Sequence, residues 1–153
     1  MFFSLITLSI MNLCVSSDIT AVNKPYRYER HFLPITNTES RPYLNWMRNG
    51  IKTAAGGVNG PVFQCMQIGH LLTLGDRESG LYISGRITEK NRYLSFREML
   101  EMEGVSNMLP FLKHYQIEDA IRIYNNFPNS GGVENLGCVA IKINILRTNI
   151  PRN

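Results

Sequence analysis

The stretch GCVAIKINIL, residues 137–146, constrains the fold more than any other part of the chain. Val139, Ile141, Ile143 and Ile145 alternate with Ala140, Lys142 and Asn144. A period of two sends alternate side chains to opposite sides of an extended backbone, so this is a strand with one apolar face. A strand needs neighbours for its N–H and C=O groups. LYISGRIT (81–88) supplies one, with Leu81, Ile83 and Ile87 on one face and Tyr82, Ser84 and Arg86 on the other. HLLTL (70–74) precedes it across the turn GDRESG (75–80), which reads as a hairpin with one buried face. RHFLPI (30–35) is a further short strand.

Helices lie between these strands. TNTESRP carries helix-start chemistry, with Pro42 tolerated in a first turn. Tyr43, Trp46 and Met47 then share a face, which places Trp46 in the core, and Gly50 is the stop. In SFREMLEMEG, Ser95 and Glu98 form a capping box. Residues 117–125 put Ile117, Ala120, Ile121 and Tyr124 on one face and set Glu118 to pair with Arg122. Strand, helix, strands, helices, strand is too irregular for a doubly wound sheet. The expected class is α+β, a small barrel or curled sheet with helices outside.

At 153 residues, 44% hydrophobic and 18% charged, the chain is one folded domain and not a disordered one. A net charge of +4 is mildly basic and suits a nucleic acid or nucleotide partner, with no basic tail. Cys14, Cys65 and Cys138 are widely spaced, and His31, His70 and His114 are isolated. No Cys-x-x-Cys occurs, so no metal or cofactor is expected, and a reduced, intracellular protein fits. MFFSLITLSIMNLCVSS resembles a signal peptide but lacks a preceding Lys or Arg, and is too short and interrupted for a comfortable membrane span. Residues 1–25 are read as a dispensable leader, or a start placed too far upstream, 26–149 as the domain and 150–153 as a tail.

RNGIKTAAGGVNGP, residues 48–61, sets a single lysine among bare backbone. That suits a phosphate-cradling loop, but no Gly-Lys-Ser/Thr occurs, and a plain turn with a solvated Lys52 explains the loop alone better. Glu103 ends the stripe Phe96, Met99, Leu100, where a carboxylate is costly to desolvate and opposes the helix dipole. Such breaks in local rules gather at functional sites. Arg86, Lys90, Arg92, Tyr93 and Arg97 interleave cations with an aromatic, as do Lys24, Tyr26, Arg27, Tyr28 and Arg30. Pairs of this kind suit single-stranded nucleic acid or an ordinary charged surface.

WMRNGIKTAAGGV, IGHLLTL, YLSFREMLEMEGVSNMLP and AIRIYNNFPNSGGVENLGCVAIKI together resemble an ASCH domain over roughly residues 30–146. The branch they resemble is found in large DNA viruses of insects. The resemblance implies a PUA-like fold, a small β-barrel flanked by helices with a cleft on one side. It implies an RNA or modified-nucleoside partner and, if viral, the cytoplasm or nucleus of a host cell. Catalytic relatives in this family include an acetylcytidine amidohydrolase and a ribonuclease. The amidohydrolase branch uses a lysine, a threonine three residues on, and a later helical glutamate. The lysine matches Lys52 and the glutamate Glu103, but the threonine falls on Ala55 and the viral pattern's arginine on Gly57. The viral Gly-Asp strand start falls on Gly69-His70. The expected function is therefore binding with little or no catalysis, through Lys52, Thr53, Gly56, Gly57 and Glu103, with Arg86, Arg92, Tyr93 and Arg97 for nucleic acid. The alternative is a hydrolase in which Lys52 or Glu103 activates water, the two groups facing each other across the cleft.

Overall fold

The structure, a computed structural model, describes residues 29–152. The leader, Cys14 and the group Lys24 to Tyr28 lie outside the described residues. Among the described residues no helix is long and apolar enough to cross a membrane.

The predicted C-terminal strand is β5, Cys138–Thr148, and its antiparallel partner β4 runs from Tyr82 to Tyr93. β3 (Leu71–Gly75) pairs with β4 antiparallel, and β1 (Arg30–Pro34) lies parallel beside β3. The far side of β5 holds β2, Ala55–Val58, a strand inside the glycine stretch, where the sequence predicts a loop or turn. The sheet order is β1-β3-β4-β5-β2, so β1 and β2 are the edges among the described residues. The expected barrel is thus a curled half-barrel in an α+β fold.

A bulge decides which side chains face which way. Ile87 opposes Ile143 but Glu89 opposes Lys142, which leaves Thr88 as the extra residue. Before it, Ile83 and Ile87 fill the concave side with Leu72, Leu74, Val139 and Ile141. After it, Lys90 and Arg92 take that parity, opposite Ile141 and Val139. Asn91 and Tyr93 turn to the convex side, above Ala140 and Cys138.

The convex side is covered by helices α3 (Phe96–Glu103), α4 (Val105–Met108) and α5 (Ile117–Asn125). The apolar stripe of α3 packs there with Ala120 and Tyr124 of α5. Its cap forms as expected: the Glu98 N–H donates to Ser95 Oγ at 3.1 Å, and the Leu94 N–H to Glu98 Oε2 at 2.7 Å. Three further helices are α1 (Tyr43–Arg48), α2 (Pro61–Cys65) and α6 (Val133–Leu136). Gly50 ends α1 region at φ +72°.

Three expectations change. Leu44 and Met47 are the buried residues of α1, and Trp46 instead stacks on Phe111, centroids 6.1 Å apart. Arg122 pairs with Asp119 at 3.3 Å, because Glu118 is drawn across to Arg97 at 2.5 Å. Cys138 is a free buried thiol, but Cys65 is disulfide-bonded, which the reduced-chain reading did not foresee.

Candidate functional site

The two sheet edges border a cleft of about 1060 Å³. Phe32 and Pro34 of β1 line one part, and Gly56, Gly57 and Val58 of β2 another, with Phe63 of α2 beside them. An edge strand has backbone groups without a ladder partner. Here that edge carries almost no side chain. Gly56 is bare for a packing reason: a Cβ there would stand 2.8 Å from both Met108 Cε and the Val139 carbonyl oxygen. The charged lining residues are Asp76, Arg77 and Glu78, in the β3–β4 turn. Ser79 Oγ donates to Asp76 at 2.6 Å, and with backbone N–H groups it holds that carboxyl below its ordinary range. Arg77 lies 5.6 Å from the centroid of the Phe32 ring.

Lys52 is neither solvated nor in this cleft. It is 5% exposed, and its Nζ donates to the Met108 carbonyl at the end of α4. The ammonium also lies 5.5 Å from the centroid of the Tyr43 ring. Burial lowers its pKa to about 7. Thr53, exposed, ties the same loop to α4 through its N–H and the Asn107 carbonyl at 3.0 Å. Ala55 is core.

Glu103 has its own set of partners. Tyr93 Oη donates to it at 2.5 Å and Asn91 Nδ2 at 2.8 Å, and Lys142 Nζ lies at 3.4 Å. Burial pushes the carboxyl up, but the hydrogen bonds and the Lys142 ammonium outweigh it and hold the pKa below the ordinary value. Tyr93 is pushed up by burial and by the same carboxylate. Lys52 and Glu103 therefore form no ion pair, and neither lines the cleft. The expectation that they face one another is corrected: each is satisfied by a different neighbour. What this arrangement does chemically is hold an anion and a cation still; it leaves neither in contact with the cleft.

The predicted nucleic-acid residues separate. Arg97 is engaged by Glu118 and Glu101, at 2.5 and 3.9 Å, and the Tyr93 hydroxyl points at Glu103. Arg92 is exposed on β4. Arg86 joins Arg30 and Arg147 around a hollow of about 230 Å³ on the sheet, together with Thr73 and Ser84. Sequence reading missed Arg147 and put Arg30 in another group. The signal was present only as polar positions on alternating strands, and strand register was needed to gather them. His31 and His70, read as isolated, are hydrogen-bonded at 2.9 Å. Asn59, between cleft-lining Val58 and Gly60, was also passed over; its buried Oδ1 has no partner among the described residues.

No known protein-family description matches the chain, and no curated protein matches it. Solved structures do, among them these two. The crystal structure of hypothetical protein PH0355 aligns with a TM-score of 0.63 and 25% identity, covering 76% of this chain and 99% of that one. The solution structure of protein PF0455 from Pyrococcus furiosus aligns with a TM-score of 0.58 and 27% identity, covering 76% and 97%. The half-barrel is thus a shared architecture, and each of those chains is almost wholly covered by it.

Proposed function

We propose that the chain is an ASCH-like binding module for a nucleoside or for single-stranded RNA, with little or no catalysis. The observation that carries this reading is the cleft between β1 and β2, walled by bare backbone and aromatic rings. Backbone groups on the side of β2 away from β5 can read the edge of a base, and the exposed Phe32 and Phe127 offer faces for stacking. The volume lies just above the usual range for small-molecule sites. Arg30, Arg86 and Arg147 add a surface on which phosphates can sit.

A hydrolase reading has less support. A covalent mechanism needs an activated nucleophile, and the expected position is the core residue Ala55. A water-activating mechanism needs Lys52 or Glu103 at the substrate, and both are buried against other partners.

The test is amide NMR of the whole chain titrated with a nucleoside panel that includes acetylcytidine, and with short single-stranded RNA. Shifts at Gly56, Gly57 and Val58 are expected, without product formation. No shift with any nucleoside, and no RNA binding at low salt, would overturn the reading.

A further inference from the structure

We propose that Glu29, His31 and His70 form a binding site for one divalent transition-metal ion of the zinc class. The inference is independent of the cleft's ligand. Glu29 and His31 are two residues apart at the start of β1, so they fall on one side of the strand. Parallel pairing sets Arg30 opposite Leu71, and the Leu71 N–H donates to the Glu29 carbonyl at 3.0 Å. That register brings His70 beside Glu29. The side is the concave one, since His31 opposes the core residue Leu72. With Lys90, the three residues form a polar end to the apolar concave core.

One ligand atom from each residue lies within 4.8 Å of the others. His31 Nε2 is 2.9 Å from His70 Nδ1, and Glu29 Oε2 is 3.8 Å from the same nitrogen. The ring centroids are 5.1 Å apart with planes within 18°, so the rings meet edge to edge and their nitrogens share one proton. The Gln67 N–H also donates to His70 Nδ1, at 3.3 Å, which makes that nitrogen the acceptor. A metal at about 2.1 Å from each nitrogen would replace the shared proton and see the two at roughly a right angle, once the rings pivot toward it. Water can complete the shell, because Glu29 is exposed and both histidines are partly so.

The surroundings select the kind of ion. Lys90 Nζ donates to the Phe63 and Met66 carbonyls at 2.6 and 2.7 Å, and its charge is felt at His31. Arg86 donates to the Gly69 carbonyl at 2.8 Å, next to His70. With one carboxylate against these cations, calcium or magnesium gains little. Two imidazoles favour zinc, nickel, cobalt or copper. Bound there, the ion would clip the edge strand β1 to β3.

The test is calorimetric titration of the chelator-treated full chain with zinc, with cobalt as a visible-absorption probe. One equivalent is expected, with cobalt ligand-field bands but no sulfur charge-transfer band. His31→Gln and His70→Gln should each weaken binding by on the order of a hundredfold and Glu29→Gln by about tenfold, while His114→Gln changes nothing. If a variant fails to fold, nitrogen NMR of the wild type replaces it: zinc should move the His31 and His70 ring signals and leave His114. No binding at millimolar zinc would overturn the proposal. So would binding unchanged in the variants, or ring shifts confined to His114.

Discussion

At the residue scale, Glu103 and Lys52 are buried charges that are stabilised in different ways. Glu103 is held as an anion by Tyr93, Asn91 and Lys142. Its folded pKa is below the ordinary value, so the unfolded chain takes up the proton first as pH falls. The stabilisation is complete above the ordinary carboxylate range and is lost as pH falls through the folded value. Glu103→Gln should cost about 1–3 kcal/mol at neutral pH, and the difference should shrink in acid; denaturant unfolding across pH checks this. Lys52 runs the other way. Its folded value is about 7 against an ordinary value of 10.5, so between them the unfolded chain binds more protons. Stability should rise with pH across that window by about 1 kcal/mol per pH unit from this group. Lys52→Met should remove that slope. A slope unchanged in the variant would show that the ammonium is hydrated and not desolvated.

At the element scale, short helices are finished by distant lysines. Lys52 reaches the last carbonyl of α4, and Lys90 reaches the C-terminal carbonyls of α2. Helices of four and five residues leave most of their carbonyls without intrahelical partners, so such caps matter more than propensity. The Thr88 bulge makes this possible for Lys90 by moving it to the concave parity. Strand β2 depends on close approach. Gly56→Ala would press a methyl onto the Val139 carbonyl oxygen, so β2 must shift from β5. A loss of about 1–3 kcal/mol in unfolding free energy is expected, together with weaker nucleoside binding at the displaced edge. Wild-type stability in this variant would mean that the strand pairing is looser than described.

At the scale of the whole molecule, the curl leaves two edges apart and brings three arginines from β1, β4 and β5 to one face. If RNA follows that face, Arg30→Glu and Arg147→Glu should each lower affinity several-fold and flatten the salt dependence, because fewer counterions are released. Arg97→Glu should leave RNA binding nearly unchanged, since Arg97 is already paired with Glu118 and Glu101. Fluorescence anisotropy over a salt series separates these outcomes. An effect of Arg97→Glu equal to that of Arg147→Glu would move the interface to α3.

Sequence alone determined β5, the β3–β4 hairpin, the α3 cap and the extent of α5, because each rests on a local rule: a period of two, a turn composition, a side chain bonding to the nearest backbone. It also marked Glu103 as a residue needing partners. Tertiary structure decided who those partners are. Tyr93 and Asn91 reach Glu103 because a bulge turns them to the helix side, and Lys142 because register sets it opposite Glu89. The glycine stretch has the composition of a loop because glycine disfavours strands, yet β5 and the side chains of Met99 and Met108 leave room for nothing larger at Gly56. His31 and His70 looked isolated because 39 residues separate them, and a parallel register brings them to 2.9 Å. Local rules report what a residue does with its near neighbours in the chain. Pairing across a sheet depends on register and curl, and these follow from burying the whole apolar set at once.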